Sequence, residues 1–361
     1  MKNCWLLLGA LALVGCKVTI NDENSSAQAH TTSPNPAMAA HDEKSFATVA
    51  EEAKSSFDAG PVLVAQIALD RLGFSSGVID GKEGKNYSAA LEGFQKANDL
   101  PVTGRLDEAT NQALRKQSPD PATRHLRIPA EFARGPFTPD IPEDPVAQAK
   151  LSQLQYQNLI EALAERFHTT PQALTSLNPP GTRLGSGAVI RVPNIPNVDE
   201  AQFGKDERRW NETLVRLGVA PTQPSIAKLV VDKSDGVLRA FTSNNKLVAQ
   251  FPATMGSEHD PLPIGTWKIQ GVSRNPDFHY NPDLFWDADT DDRAVTLKPG
   301  PNGPVGVVWI DISKPHYGIH GTSEPSTIGR AESHGCIRLT NWDAARLAQM
   351  VKPGIPAIFQ E

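Results

Sequence analysis

The residues best suited to chemistry lie in Ser333-His334-Gly335-Cys336-Ile337-Arg338-Leu339. A thiol stands directly after a glycine, two residues past an imidazole, with a guanidinium two positions on. A second pair, His320-Gly321, lies just upstream. A cysteine becomes a nucleophile when its proton can leave and its thiolate is stabilised. The histidines can take the proton, the glycine lets backbone N–H groups approach, and the arginine favours the anion. Zinc is the rival chemistry, since His316, His320, His334 and Cys336 offer a His-x3-His and a His-x-Cys. An inert, packed cysteine is the third possibility, and the flanking His334, Gly335 and Arg338 argue against it.

The elements that must position these residues are mostly strands. Leu229-Val230-Val231, Val237 to Phe241 and Leu247 to Phe251 read as strands, with turns at Ser234-Asp235-Gly236 and Asn244-Asn245. Trp267-Lys268-Ile269, Val305 to Ile312 and Ala357-Ile358-Phe359 continue the pattern. One helix starts at a capping-box-like Thr340 and Asp343, faces Leu347, Met350 and Val351 inward, and ends at Lys352-Pro353-Gly354. The catalytic unit is therefore a mainly β domain over 225–361 with one packed helix, an ordinary domain size.

The chain of 361 residues has room for further domains. Apolar content of 39%, charged content of 21% and a net charge of −6 suit a globular protein. With no basic stripe, nucleic acid is not an expected partner. Residues 59–117 form an all-α unit: Val64, Ile67, Ala68 and Leu72 share one helical face, and Tyr87, Ala90, Leu91 and Phe94 another. Residues 118–150 carry seven prolines and read as an extended linker. Residues 151–196 form a second small unit: short helices around Leu159 to Phe167 and Pro171 to Leu177, then a strand at Val189 to Pro193. Residues 197–224 are a connector that reads as helical from Asp199 to Leu217. The stretch from Asp277 to Asp292, with Tyr280 and Trp286, is polar and reads as a solvated loop.

The N-terminus reads as a targeting segment. Lys2 precedes the apolar run Trp5 to Val14, which is far short of the roughly 20 residues of a spanning helix. Leu13-Val14-Gly15-Cys16 resembles a bacterial lipobox, which implies lipidation of Cys16 after removal of 1–16. Residues 17–58, rich in Ser, Ala, Thr and Asn, then form a flexible tether. Cys336 is left as a lone thiol in an exported protein.

Pro263-Ile264-Gly265-Thr266-Trp267, Ile319-His320-Gly321-Thr322, Ile328-Gly329 and Ser333 to Leu339 together resemble the L,D-transpeptidase (YkuD-type) catalytic domain, a β-sandwich with one packed helix. Leu72-Gly73-Phe74, Asp80-Gly81, Phe94-Gln95-Lys96, Leu100 to Gly104 and Leu106 to Thr110 resemble the three-helix peptidoglycan-binding domain. Leu163 to Phe167, Leu174, Leu177-Asn178-Pro179 and Ile190 to Pro193 resemble a βααβ LysM domain, a glycan binder, whose opening strand is not recognisable around Leu151 to Asn158.

The catalytic resemblance implies roles. Cys336 is the acylated nucleophile and His320 the general base, oriented by the Gly321 carbonyl. N–H groups around His334, Gly335 and Cys336 form the oxyanion hole. His334 shapes the pocket or assists proton transfer. Arg338, Ser333, Trp286 and Tyr280 contact substrate, the last two from a lid. No cofactor and no resident metal are implied. The implied reaction cleaves the diaminopimelate–D-alanine bond of a tetrapeptide stem and passes the acyl group to an amine, giving a 3→3 crosslink or anchoring an outer-membrane lipoprotein. Water as acceptor would make the enzyme an L,D-carboxypeptidase, and a wall-binding lipoprotein without catalysis is the alternative of another class. The expected partners are stem peptides, glycan strands and a membrane held through the N-terminal lipid, with carbapenems as covalent inhibitors. The expected address is periplasmic, on the outer membrane of a Gram-negative bacterium.

Overall fold

The computed structural model describes residues 45–49, 59–284 and 293–361. The expectations for Cys16 and Trp286 lie outside the described residues. The first unit holds helices α1 (Gly60–Arg71), α2 (Lys85–Ala97) and α3 (Glu108–Gln117). Asp107 caps α3 by accepting the Thr110 N–H at 2.9 Å. On α2 the expected face is buried, Tyr87, Ala90, Leu91 and Phe94 together. On α1 the expectation is off by one residue, since Leu63 is buried and Val64 is 38% exposed. The cause is that α1 is covered on two sides. Its Ala65 and Leu69 pack within the first unit, while Leu63 and Ile67 join a core shared with the second.

Two boundaries need correction. Residues 45–49 are not tether: strand β1 (Ala47–Val49) pairs antiparallel with β2 (Thr123–Arg127), and Phe46 is buried. Residues 118–150 are not an extended linker, because they hold β2 and the short helices α4 (Ala130–Arg134) and α5 (Pro145–Gln148). The prolines there sit at element entries, Pro129 at the N-cap of α4 and Pro145 in the first turn of α5, where a missing N–H costs nothing. Residues 197–224 do hold a helix within the expected stretch, and it packs into the next domain rather than only connecting. They carry α8 (Trp210–Leu217), whose Trp210, Leu214 and Leu217 are buried in the core of the β domain.

The strand that opens the second unit is thus β2, not a segment near Leu151. It pairs antiparallel with β3 (Val189–Pro193), and between them lie α6 (Leu159–Arg166) and α7 (Pro171–Ser176). Asn158 caps α6 and Thr170 caps α7, each accepting an N–H three residues on at 3.1 Å.

The β domain contains β4 (Lys228–Asp232), β5 (Val237–Phe241), β6 (Leu247–Pro252), β7 (Thr254–Met255), β8 (Gly265–Arg274), β9 (Phe278–Tyr280), β10 (Val295–Leu297), β11 (Val308–Ile312), β12 (Gly318–His320), β13 (Ile337–Arg338) and β14 (Pro356–Gln360). The expected strands fall within these elements, except that Val305 to Val307 form a turn ahead of β11. β9 and β10 form a two-stranded ribbon. The others follow the order β6-β5-β4-β14-β8-β11-β12-β13-β7. The long β8 pairs with β14 through its first residues and with β11 through its last, so both halves of the sheet share it. Helix α9 (Asn341–Met350) lies against β11 and β12. Thr340 caps it by accepting the Asp343 N–H at 3.2 Å, and Leu347, Met350 and Val351 are buried as expected.

The three units are locked together. Residues 73–75 of the first unit cover the edge strand β6: the Ser75 N–H donates to Gln250 O at 2.9 Å, and the Gln250 N–H to Gly73 O at 3.0 Å. A buried ionic junction joins all three. The Arg346 guanidinium on α9 donates to both oxygens of Asp70 on α1, at 3.0 and 2.8 Å, and His168 Nδ1 meets Asp70 Oδ2 at 3.0 Å. The Ser75 hydroxyl donates to Asp343 Oδ2 at 2.7 Å, and the His168 ring stacks on Trp342 at 5.0 Å. Burial alone would raise the Asp70 carboxyl, but Arg346 and His168 outweigh it and hold it far below the usual range. Its stabilisation is therefore full above an unfolded value of 3.8 and is lost as pH falls through the lower folded value. Asp70→Ala removes the bidentate partner of the buried Arg346 and leaves it only the longer 3.5 Å contact with Asp343, so chemical denaturation should show a loss of about 3–5 kcal/mol, and a loss below about 1 kcal/mol would contradict the junction's role.

Candidate active site

The nucleophile motif is placed by strand pairing. β12 and β13 run parallel, with Ile319 opposite Ile337 and His320 opposite Arg338. Carrying that register back one residue sets Cys336 across from Gly318. Cys336 lies in the bend just before β13, and its sulfur accepts from the Gly318 N–H on β12, two residues before His320.

Each partner is held by its backbone. His320 is buried, and its Nδ1 lies 2.7 Å from Gly321 O. A carbonyl only accepts, so Nδ1 carries the proton and Nε2 keeps its lone pair. Burial first, then the Arg338 charge, pull the imidazole down to about 4, while the Gly321 carbonyl pulls it up. The ring is neutral near pH 7. Trp309, directly opposite on β11, stacks on it at 5.6 Å. Gly318 makes room for that indole, since a Cβ there would lie 2.5 Å from Trp309 Cζ2.

Cys336 is half-buried and free of any disulfide. Burial pushes its thiol up, and the Gly318 N–H and the Arg338 charge pull it down; the Asp260 carboxylate adds to the rise. The sulfur also lies 3.9 Å from His316 O. At neutral pH the group is a thiol that needs a base rather than a ready thiolate.

The loop before the cysteine is braced from within. The Ser333 hydroxyl donates to Cys336 O at 2.6 Å and accepts the Gly256 N–H at 2.7 Å, and the Ser333 N–H donates to Gly256 O at 3.2 Å. Ser333 is only 3% exposed, so the expectation of a substrate contact is corrected: its hydroxyl is spent on holding the loop. Gly335 has φ +86°, and Tyr317 occupies the space a Cβ would need. His334 is half-buried beside it. Arg338 reaches back to Glu332 O at 3.5 Å.

Tyr280 stands apart from this loop on β9, opposite Val295 of β10, at the base of the expected lid. Among the described residues no group of three or more His, Cys, Asp or Glu converges to hold a metal, so the zinc alternative finds no ligand set there. Trp309 and Tyr317 were missed in the sequence. Their signal was positional: one pairs with His320 and the other flanks Gly318, but only the register reveals it.

The L,D-transpeptidase catalytic domain family (YkuD) matches residues 227–358, and the peptidoglycan binding domain family matches residues 59–114. The L,D-transpeptidase YkuD of Bacillus licheniformis is 29% identical over 204 residues, which is 56% of this chain and 93% of that protein. Its namesake in Bacillus subtilis is 34% identical over 203 residues, again 56% and 93%. A solved structure, L,D-transpeptidase 3 from Mycobacterium tuberculosis, aligns over 50% of this chain and 76% of that one at 18% identity; its TM-score of 0.32 is too low to support any argument. Sequence kinship together with the Cys-His site places the chain in the YkuD family of L,D-transpeptidase enzymes, with a peptidoglycan-binding domain ahead of the catalytic one.

Proposed function

We propose that Cys336 carries the acyl group and that His320 Nε2 is the base that moves its proton. The observation that carries this is the 2.7 Å contact of His320 Nδ1 with Gly321 O, which leaves Nε2 as the only proton acceptor on the ring. The thiol attacks the carbonyl of the third stem residue, diaminopimelate, and its proton passes to Nε2. N–H groups of the Gly335-Cys336 turn stabilise the oxyanion. The tetrahedral adduct collapses, the C–N bond breaks, and the proton on Nε2 goes to the departing D-alanine amine. A thioester remains on Cys336. An acceptor amine, deprotonated by the same nitrogen, attacks the thioester and releases the thiol. A second diaminopimelate yields a 3→3 crosslink, a lipoprotein lysine yields an anchored protein, and water yields the tripeptide.

Arg338 serves this chemistry electrostatically, since its charge lowers both the thiol and the imidazole. The second unit supports a LysM-like reading through its strand–helix–helix–strand order, from β2 through α6 and α7 to β3, and would guide glycan strands. The strained carbonyl of a carbapenem would enter the same route and stall as an adduct. The lipobox-like Leu13 to Cys16 supports lipid attachment at Cys16 and a place on the periplasmic face of the outer membrane, with Lys17 rather than aspartate following the cysteine.

Purified protein incubated with diaminopimelate tetrapeptide muropeptides should release D-alanine, and Cys336→Ala and His320→Ala should each abolish the release; undiminished release by Cys336→Ala would overturn the proposal. The products name the acceptor: dimers, lipoprotein-linked tripeptides or free tripeptides. Because His320 is held near 4, protonation removes the base only there. The acid limb of kcat/KM should therefore fall near pH 4, and a limb at the ordinary histidine value of 6.5 would contradict the buried neutral ring. A carbapenem should add its mass to the parent and not to Cys336→Ala. Full-length protein expressed in a Gram-negative host should partition into detergent with a lipidated Cys16, whereas an unmodified, water-soluble form would exclude the anchor.

A further inference from the structure

The base is backed by a residue that lies outside the catalytic domain. His320 leans on Gly321 O, and Gly321 in turn is pressed by the Asn341 side chain, whose Oδ1 fills the place where a Cβ on Gly321 or Gly306 would stand. That oxygen accepts the Val307 N–H at 3.2 Å. The other end of the amide, Nδ2, points into the second unit. It donates to Glu165 Oε1 at 3.1 Å, to Glu165 Oε2 at 3.2 Å and to Pro301 O at 3.1 Å. Glu165, on α6, also accepts the Tyr156 hydroxyl at 2.9 Å. Asn341, Glu165 and Tyr156 are 0%, 4% and 3% exposed.

We propose that Glu165 is a positioning residue for catalysis, acting through Asn341 and the Gly321 carbonyl on the His320 ring. This rests on His320 being the base. Both Glu165 oxygens lie within reach of Nδ2, and even as the protonated acid Glu165 keeps an acceptor there, so together with Pro301 O and the Val307 N–H it fixes which end of the Asn341 amide faces the catalytic core. With the amide so turned, Oδ1 secures Val307 and leaves no room for the Gly321 peptide to rotate. A rigid Gly321 carbonyl keeps the proton on Nδ1 and Nε2 aimed at the thiol. The second unit braces the same region elsewhere: the Leu154 N–H donates to Pro299 O at 3.2 Å, and Asn302 Nδ2 donates to Glu161 Oε1 at 2.7 Å. Burial pushes the Glu165 carboxyl up to about 8, against the hydrogen bonds from Tyr156 and Asn341. A carboxyl kept in so unfavourable a place does more than fill space.

The test uses the full chain and D-alanine release from diaminopimelate tetrapeptide, with Cys336→Ala and His320→Ala in parallel. Glu165→Ala should lower kcat by about tenfold to a hundredfold with KM within about twofold, because the base is misaimed while the substrate contacts remain. Glu165→Gln keeps one acceptor for Asn341 and should recover most of that loss. Asn341→Leu removes the amide through which Glu165 acts and should lower kcat about as much as Glu165→Ala, and the two together should cost little more than either alone. If Glu165→Ala does not fold, Glu165→Met takes its place in this cycle: losses that do not add support the proposal, and additive losses overturn it. A folded Glu165→Ala with parental kcat, while Cys336→Ala and His320→Ala are dead, also overturns it. Activity surviving in Cys336→Ala or His320→Ala would instead sink the assignment of nucleophile and base.

Discussion

The buried pair of Arg346 with Asp70 is the constraint on which the rest of the molecule depends. Arg346 lies on α9, and α9 begins only a few residues after the nucleophile motif. Wherever that helix is held, Cys336 and β13 are held too. Asp70 comes from the first unit and His168 from the second, and both reach the helix in the same dry place. Such an arrangement survives only if every charge has its partner, since an uncompensated buried ion costs several kcal/mol. The accessory units are thus not beads on a tether. They form part of the wall against which the catalytic sheet is built.

The chemistry of the site follows from the same packing. A histidine on an exposed strand would titrate near neutrality and exchange tautomers. Buried under Trp309 and tied to Gly321 O, His320 has one free nitrogen and a depressed affinity for protons. The thiol is raised rather than lowered, so the pair is poised as neutral imidazole and thiol. In the proposed reaction, proton transfer would then accompany attack instead of preceding it. Small residues make this geometry possible: Gly318 clears space for the indole, and Gly335 takes a backbone shape that Tyr317 would deny to a side chain.

Much of this was legible in the sequence for physical reasons. The strands of the β domain alternate cleanly between short turns, and Thr340 and Asp343 mark the start of α9 in residue types alone. The chemistry-bearing residues are close in the chain, so their types and spacing drew attention to Cys336 and its neighbouring histidines, while the base role of His320 came only from the family resemblance. What stayed hidden depends on contacts far apart in sequence. β2 could not be assigned to the second unit because a long proline-rich insertion separates it from α6. The prolines suggested a linker, yet they occupy positions where helices tolerate them. Ser333 was expected to contact substrate, but its hydroxyl bonds Gly256 and Cys336 across the loop. Leu63 and Val64 exchanged roles because α1 is buried from two directions, which a single-helix periodicity cannot express. Glu165 lies in another unit altogether, and nothing local distinguishes it from a solvated glutamate.

The central claim is that one thiol holds the stem as a thioester while a neutral imidazole moves the proton. Intact-mass analysis during turnover of a diaminopimelate tetrapeptide muropeptide tests it most directly. The account predicts a transient species heavier by the substrate minus D-alanine, with the added mass mapped by proteolysis to the peptide containing Cys336. Turnover with no such species in the parent, or with the adduct on any other residue, would contradict it.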